Sequence, residues 1–413
     1  MPNMIGDKPR IPRPVWFLGW TSLFTDAASE LIYSLLPVYL SRVLGASAVS
    51  LGIIEGVAEG LNSLLKVISG YWSDRLAQRR PIVIAGYALS SIARPFIALT
   101  TNWPQVLLIR ALDRTGKGIR GAPRDALLAR FATASTRGRI FGFHAAMDHA
   151  GAIIGPVLAT VFLFFAPERY RLLFALTAIP GAIAVVMLFF VKEDDTAGEP
   201  LNQPANPRTP EPANRTRAPK HPSTREPLPR GLVSLMIVLL IFSLGNSADA
   251  FLLLRLADAL GGATYVPLLW AALHVVKSSL STWGGALSDQ MGRKQVIVAG
   301  WGVYALVYLG FALSTSSMAF IAWFLFYGVY FALAEGPEKA LVADLTPRDR
   351  HGAAFGVYNG TLGAGALIAS ILFGYLYEHF GSPVAFMTGA ALAAVAAVLL
   401  LFIPTDTIKD SHA

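Results

Sequence analysis

Residues 70–80 read GYWSDRLAQRR, a short polar segment with a glycine, an aspartate and three arginines that joins two apolar stretches. A second version, GALSDQMGRK, occupies residues 285–294 and again follows an apolar stretch. Two further matches occur at almost the same separation: PRDAL at 123–127 with PEKAL at 337–341, and GRIFG at 138–142 with GAAFG at 352–356. Such matches at nearly one spacing are difficult to obtain by chance, so the chain consists of two homologous halves.

Long apolar stretches make up most of the chain. Its 413 residues are 54% hydrophobic and only 15% charged, whereas soluble proteins are about one quarter charged. The stretches reach about 20 residues or more, the length at which a helix crosses a bilayer about 30 Å thick. We therefore predict twelve membrane-spanning helices, numbered spans 1 to 12. Their predicted ranges are 15–43, 48–71, 81–101, 104–129, 138–166, 170–191, 231–259, 265–287, 295–314, 317–344, 352–378 and 383–403.

This composition excludes a disordered chain, a coiled coil, a secreted disulfide scaffold and an ordinary soluble enzyme. The chain contains no cysteine, which removes disulfides, thiolate catalysis and cysteine-ligated metals. The sequence has no phosphate-binding loop, no HExxH pair and no recognisable Ser–His–Asp combination. We therefore expect neither an enzyme nor an ATP-driven pump, and no cofactor or metal.

The net charge of +8 is explained by membrane topology rather than by a nucleic-acid partner. Lysines and arginines concentrate in one alternate set of connecting segments. The other set contains only Arg42, Arg169, Arg171 and Arg255. Because positive loops stay on the inner side of a membrane, we predict a multi-pass protein of the cytoplasmic (inner) membrane with both termini in the cytoplasm.

The segment 192–230 divides the chain, since it is hydrophilic and rich in proline and has too few apolar residues to form a packed core. We predict an N-terminal six-helix bundle at 1–191, a flexible cytoplasmic linker at 192–230 and a C-terminal six-helix bundle at 231–413. The predicted fold class is an all-α integral membrane protein, with twelve transmembrane helices in two pseudo-symmetric bundles.

Across essentially its whole length the chain resembles the major facilitator superfamily. Residues 70–80 resemble the family signature between spans 2 and 3, and 285–294 resemble its weaker counterpart between spans 8 and 9. In span 4, RTGKGIRGA at 114–122 resembles the Arg-x-x-Gln-Gly motif, with Lys117 in place of Gln. In span 5, GAIIGP at 151–156 resembles the Gly-x-x-x-Gly-Pro motif of drug–proton antiporters, without the glycine pair that usually follows.

The resemblance implies alternating access around a central substrate site, and it is closest to bacterial and archaeal proton-coupled solute or drug permeases. We expect a monomer in the lipid bilayer whose partners are protons and a small-molecule substrate. The loop residues would form a conformational latch between the bundles: Gly70, Asp74, Arg75, Arg79, Arg80, Gly285, Asp289, Arg293 and Lys294. The antiporter-like helix motif comprises Gly151, Gly155 and Pro156.

Ionisable side chains inside the spans are costly and usually functional. Basic residues of span 4 recur at three- or four-residue steps, and acidic residues of spans 1, 2 and 5 show similar spacing, so we expect the two sets to meet around a cavity. Proton coupling is assigned to Asp26, Glu30, Glu55, Glu59 and Asp148. The substrate cavity is assigned to Arg110, Arg114, Lys117, Arg120, His144, Lys277 and Glu335. For any one of these residues, a purely structural ion pair is an equally good interpretation.

These patterns predict a secondary active transporter that moves a small organic solute with the proton gradient. The span 5 motif favours efflux by antiport. The basic residues of span 4 instead favour proton-coupled uptake of an anionic solute by symport. A third alternative is a transport-inactive relative that acts as a receptor or assembly protein, against which the costly charges inside the spans argue.

Overall fold

The computed structural model describes residues 11–73, 78–132, 136–192, 229–347 and 350–403, and within these ranges the chain is helical without β-strands. Each predicted span corresponds to one helix or to two or three consecutive helices, with boundaries that differ by a few residues. Spans 1 to 6 are Arg13–Tyr33 with Leu36–Val38 and Tyr39–Val43, Ala48–Ser73, Arg80–Ala93 with Arg94–Leu99, Trp103–Arg130, Arg137–Phe165, and Tyr170–Leu176 with Ala178–Phe189. Spans 7 to 12 are Arg230–Gly245 with Ala250–Ala259, Val266–Met291, Arg293–Leu313, Ser317–Asp344, His351–Phe380 and Ser382–Leu401.

The predicted fold class is confirmed: the chain is an all-α integral membrane protein built from two six-helix bundles. Nearly all of the predicted linker, residues 193–228, lies outside the described residues. The division of the chain at 192–230 therefore stays a prediction.

Within the described ranges, nine helical segments are long and apolar enough to cross a membrane. The segments that fall short are spans 1, 4 and 8, whose charged and polar side chains lower their apolar content. A polar helix face is tolerated at membrane depth only where protein or a water-filled cavity shields it from lipid. These three spans all contribute to the central cavity described below.

The two halves begin equivalent helices in the same way. Asn102 caps span 4, because its side chain accepts a hydrogen bond from Gln105 N at 3.2 Å. Ser316 caps span 10 by accepting from Ala319 N, also at 3.2 Å. Each cap satisfies a backbone N–H that the first helical turn leaves unpaired. The internal repeat seen in the sequence is thus repeated in local structure.

The interior of the C-terminal bundle is aromatic. The rings of Phe242 and Trp301 stack with centroids 4.4 Å apart, and those of Tyr304 and Tyr308 stack at 4.2 Å. All four side chains are buried. The N-terminal bundle instead buries ion pairs, so the two halves share a topology but are stabilised by different interactions.

The bundles meet along spans 2 and 11, where glycines let the two backbones approach closely. A Cβ atom on Gly52 would lie 2.2 Å from the carbonyl oxygen of Ser370. A Cβ on Gly56 would lie 2.8 Å from the carbonyl oxygen of Leu367. Any larger residue would push the helices apart, as expected where small residues allow close packing in membranes.

Polar contacts close one end of this interface. Arg42 at the end of span 1 forms an ion pair with Asp258 of span 7 at 3.4 Å. The backbone N–H of Val49 donates to Glu378 Oε2 of span 11 at 2.9 Å. We call this the sealed end.

Toward the opposite end the bundles diverge. A Cβ on Gly363 would lie 2.4 Å from Ser63 Cβ, whereas one on Gly360 would meet no described atom within 4 Å. The side chains of Glu335 and Lys339 in span 10 are about half exposed, at 49% and 52%. The space between the bundles therefore opens at the end where spans 2, 4 and 10 terminate, at Ser73, Arg130 and Asp344, which we call the open end.

Candidate functional site

A cavity of about 340 Å³ lies between the two bundles. This volume is at the lower end of the range for small-molecule sites. Both halves of the chain contribute to its wall. Its charged lining residues are Glu30, Glu55, Glu59, Arg114, Lys117, Asp249 and Lys277, and its aromatic lining residues are Tyr33, Trp270, Tyr327 and Phe331.

The deepest charge on the N-terminal wall is already neutralised. Arg110 Nη2 donates to both carboxylate oxygens of Glu55, at 2.8 and 3.0 Å, and both residues are buried. Arg110 Nη1 also lies 3.7 Å from Asp113, which accepts from Arg94 Nε at 2.8 Å. Only Glu55 of this network lines the cavity. The network joins spans 2, 3 and 4, and stabilising the bundle is the chemistry that this arrangement supports.

Arg120 faces span 3 rather than the cavity. Its guanidinium donates to Ser90 Oγ at 2.7 Å and lies over the ring of Tyr87, 4.1 Å from the centroid. The basic residues of span 4 therefore diverge onto different faces of the helix. Helical spacing brings Arg114 and Lys117 to the cavity and turns Arg120 away.

Glu59 and Arg114 form an ion pair on the cavity wall. Arg114 Nη2 lies 3.3 Å from Glu59 Oε1, and Asn62 Nδ2 donates to Glu59 Oε2 at 3.3 Å. The Arg114 side chain is 10% exposed and that of Glu59 is 40% exposed, so a solute in the cavity can reach the carboxylate. One turn further along span 4, Lys117 lines the same cavity without an acidic group within 4 Å among the described residues.

The C-terminal wall is built around a break in span 7. Its first helix ends at Gly245 and its second begins at Ala250, and the residues between them line the cavity. Asp249 in this break accepts a hydrogen bond from Tyr327 Oη at 2.8 Å. Interrupted helices of this kind place polar groups at the substrate sites of some membrane transporters. The sequence analysis did not assign Asp249 to a site. The segment Asn-Ser-Ala-Asp at 246–249, which interrupts an apolar stretch, is the sequence feature that could have indicated it.

A second contact joins the two walls near the sealed end. Trp270 Nε1 of span 8 donates to Glu30 Oε2 of span 1 at 2.9 Å. His274 Nε2 lies 4.0 Å from the same oxygen, and the ring of Tyr33 lies 5.3 Å from that of Trp270. Glu30 is therefore held across the bundle interface by a neutral donor.

At the open end, Glu335 lies between two lysines. Its carboxylate is 3.2 Å from Lys277 Nζ and 3.2 Å from Lys339 Nζ. The Lys277 ammonium also lies 4.1 Å from the ring centroid of Phe331. Of these three charged groups, Lys277 lines the cavity and the other two lie beside it.

Asp26, Asp148 and His144 lie between spans 1 and 5 and do not line the cavity. The Ser22 hydroxyl donates to Asp148 Oδ1, and His144 Nδ1 lies 3.6 Å from the same oxygen. Three of the proton-coupling candidates line the cavity: Glu30, Glu55 and Glu59. Among the substrate-cavity candidates, it brings Arg114, Lys117 and Lys277 to the wall and leaves Arg110, Arg120 and His144 behind it.

The predicted latch residues contact their own bundles. Arg293 is paired with Asp289 at 3.0 Å and with Asp344, and Lys294 Nζ donates to Leu401 O at 2.5 Å. Arg80 Nη2 makes the equivalent bond in the first half, to Phe189 O at 2.9 Å, so a basic residue caps the last helix of each bundle.

The other latch residues add less to this picture. A Cβ on Gly70 would lie 3.7 Å from Ala122 Cβ, and one on Gly285 would meet no described atom within 4 Å. Arg79 precedes span 3 as its N-cap. Asp74 and Arg75 lie outside the described residues. A contact between bundles through this set therefore stays a prediction.

The span 5 motif packs against span 1. A Cβ on Gly151 would lie 2.3 Å from Leu23 O, and one on Gly155 would lie 2.1 Å from Ala27 O. Pro156 lies within the helix. The glycines thus keep spans 1 and 5 in backbone contact inside the N-terminal bundle.

The sequence of this chain is similar to those of known membrane proteins. The sequence profile of the Major Facilitator Superfamily matches residues 18–276 and 235–412. An uncharacterised MFS-type transporter of Methanocaldococcus jannaschii is 32% identical over 399 residues, covering 95% of each chain. The fosmidomycin resistance protein of Escherichia coli is 25% identical over 410 residues, covering 95% of this chain and 93% of its own.

The fold is likewise shared with solved structures. An inward-facing, unoccupied bacterial homologue of the human lysosomal transporter Spinster superposes with a TM-score of 0.69 at 15% identity, with 96% of both chains covered. At that identity the likeness concerns the fold alone. Two other matches establish the family: the sequence profile matches nearly the whole chain, and an MFS-type transporter is 32% identical with 95% of its length covered. This chain therefore belongs to the major facilitator superfamily of membrane transporters.

Proposed function

We propose that the protein is a secondary active transporter that exports a small organic solute by alternating access in exchange for protons. The observation that carries this proposal is the Glu59–Arg114 pair, an acid and a base that face each other on the cavity wall with the carboxylate accessible. A cationic group of the solute and a proton compete for the accessible Glu59 carboxylate, because each neutralises the same negative charge. Binding of one therefore favours release of the other, which is the linkage that exchange requires.

Other proton-coupling candidates lie at contacts between helices. Glu30 is bound by a neutral donor across the bundle interface, and Asp26 and Asp148 lie between spans 1 and 5. A change in how the bundles pack changes the surroundings of these acids. Such a change is what proton coupling requires, because a proton must be taken up in one conformation and released in the other.

The positive-inside pattern supports a cytoplasmic-membrane location with both termini in the cytoplasm. In this orientation the open end faces the cytoplasm and the sealed end faces outward. The bundles then comprise residues 1–191 and 231–413, joined by a cytoplasmic linker at 192–230, and the protein acts as a monomer.

Export is favoured by the span 5 glycine motif and by relatedness to a protein named for fosmidomycin resistance. The alternative is uptake of an anionic solute by symport, and one observation favours it. Lys117 lies on the cavity wall without an acidic partner within 4 Å in the described part of the chain, as a residue that binds an anionic substrate would.

Proton movement in vesicles that contain the purified protein and an internal pH dye tests both candidates. Solutes are added from anionic and cationic panels, with fosmidomycin among the first, and empty vesicles serve as the control. Antiport predicts proton movement opposite to the solute, and symport predicts movement in the same direction. Solute movement without any proton movement would refute proton coupling, and the absence of solute movement would favour the receptor alternative.

A further inference from the structure

We infer that the cavity binds a zwitterionic solute, with its anionic group at Lys117 and its cationic group at Asp249. This inference rests on the proposed transport function and specifies its substrate class. It follows from which charges of the cavity wall are already paired and from where the unpaired ones lie.

Several lining charges are neutralised within the protein. Glu55 is held by Arg110 at 2.8 Å, Glu59 by Arg114 at 3.3 Å, and Lys277 by Glu335 at 3.2 Å. A solute gains less from a charge that already has a partner than from one that has none, because it must first displace that partner.

The lining charges that remain are Lys117 and two carboxylates, Glu30 and Asp249, and of these Lys117 and Asp249 belong to opposite bundles. Within the described residues, neither Lys117 nor Asp249 has an ion-pair partner within 4 Å, and Asp249 accepts a hydrogen bond from the neutral hydroxyl of Tyr327 at 2.8 Å. Lys117 belongs to span 4 of the N-terminal bundle and Asp249 to the break in span 7 of the C-terminal bundle. An unpaired charge at membrane depth is costly, so a ligand of complementary charge stabilises each of them.

The surroundings of Asp249 suit an organic cation. The rings of Tyr33, Trp270, Tyr327 and Phe331 line the same cavity, and Glu30 adds a second carboxylate held only by a neutral donor at 2.9 Å. Aromatic faces attract ammonium groups and also cover the apolar part of a solute. Near Lys117, the guanidinium of Arg114 adds a second donor for an anionic group.

The position of the two charges also gives the solute a role in the transport cycle. A zwitterion that binds Lys117 and Asp249 together contacts both bundles at once. Its binding therefore favours the conformation in which the two walls are closest, as alternating access requires of a substrate. A purely anionic or cationic solute would satisfy one wall only.

A series of ω-amino acids of increasing chain length tests the inference, with n-alkylamines and n-alkanoates of the same lengths as matched controls. Binding is measured as a thermal shift of the purified full-length protein. We expect a window of ω-amino acid lengths to stabilise the protein at concentrations where the matched amine and alkanoate do not. If only the alkanoates stabilise the protein as much as the ω-amino acids do, the inference is overturned in favour of an anion site. If only the alkylamines do so, it is overturned in favour of a cation site. Absence of binding by every ω-amino acid would also overturn it.

Two variants locate the ends of the solute. Lys117→Gln should weaken the ω-amino acid roughly tenfold, the value of a lost charge-assisted hydrogen bond, and leave alkylamine binding nearly unchanged. Asp249→Asn should weaken it similarly and leave alkanoate binding nearly unchanged. Lys339→Gln and Asp258→Asn make the same chemical changes at residues that do not line the cavity, and neither should alter binding. Equal losses in the cavity variants and these controls would refute the assignment.

The same ω-amino acid then separates this inference from the proposed function. If it binds and is transported without proton movement, the substrate class stands and proton coupling fails. If a solute of single charge drives proton movement and no ω-amino acid binds, proton coupling stands and the zwitterion inference fails.

Discussion

The indole Nε1 of Trp270 donates to Glu30 Oε2 at 2.9 Å, and this bond joins the C-terminal bundle to the N-terminal bundle beside the sealed end. It lies at the cavity wall, so the group that helps to close the interface is also within reach of a bound solute. The Arg42–Asp258 pair at the same end has side chains that are 38% and 44% exposed. An exposed pair of that kind contributes only about 0–1 kcal/mol, so we regard the Trp270 bond as the stronger polar contact.

Replacing Trp270 with Phe should loosen the sealed end. The ring still packs on Tyr33, but the hydrogen bond to the charged carboxylate is lost, at a cost of about 1.5–3 kcal/mol. Because the chain has no cysteine, a single cysteine at Leu51, which is 2% exposed at the sealed end, reports opening by its rate of thiol labelling. Labelling should be faster in Trp270→Phe, and the same change at the exposed ring of Trp283 should have no effect. Equal labelling rates in both backgrounds would show that this bond does not hold the end closed.

The close packing of spans 2 and 11 should not tolerate one added methyl group. Gly52→Ala places a Cβ where it would lie 2.2 Å from the backbone oxygen of Ser370, so the helices must separate, at a typical overpacking cost of about 1–3 kcal/mol. We expect a lower thermal unfolding midpoint and slower transport. Gly360→Ala is the matched control on span 11, since its Cβ would meet no described atom within 4 Å. If both variants unfold at the same temperature, the glycine contact is not a stabilising feature.

The Glu55–Arg110 pair should be required for the folded bundle. Both side chains are almost fully buried, at 1% and 3% exposure, so Arg110→Gln leaves a buried carboxylate without a cation and should cost about 3–5 kcal/mol. The amount of monodisperse protein recovered from membranes measures this loss. Arg124→Gln removes a more exposed pair with Asp125 and should cost about 0–1 kcal/mol. Adding Glu55→Gln to Arg110→Gln should restore part of the yield, and a normal yield for Arg110→Gln alone would contradict the prediction.

Neutralising the coupling acids should separate transport from folding. Asp26→Asn, Glu59→Gln and Asp148→Asn should each abolish proton-driven transport, while the protein remains folded in the membrane. Glu59 is the sharpest case, because its side chain is 40% exposed to the cavity and its loss leaves Arg114 in place for the solute. Solute-dependent proton movement in vesicles is the measurement, with thermal unfolding as the folding control. Normal proton-driven transport by all three variants would show that the coupling groups lie elsewhere.

The repeated segments and the lengths of the apolar stretches were sufficient to predict the fold. A helix must be about 20 residues long to cross the bilayer, and an ion-rich helix must face away from lipid, so spans 1 and 4 were recognisable despite their charges. The repeat of 70–80 at 285–294 predicted two bundles of one topology. These features depend on residues close together in the chain, or on a pattern repeated along it, and a sequence displays both directly.

Only the tertiary structure decided which charge meets which partner. The spacing of Arg110, Arg114, Lys117 and Arg120 fixes their directions around span 4, but the neighbour that each one meets depends on how spans 2 and 3 pack against that helix. Arg110 therefore became a buried structural partner of Glu55, while Lys117 was left on the cavity wall. Asp249 reaches that wall because span 7 is interrupted between Gly245 and Ala250, a break that moves a side chain out of helical register. Pairing over long sequence distances is a property of the packed helices, and this pairing determines which charges remain available to a solute.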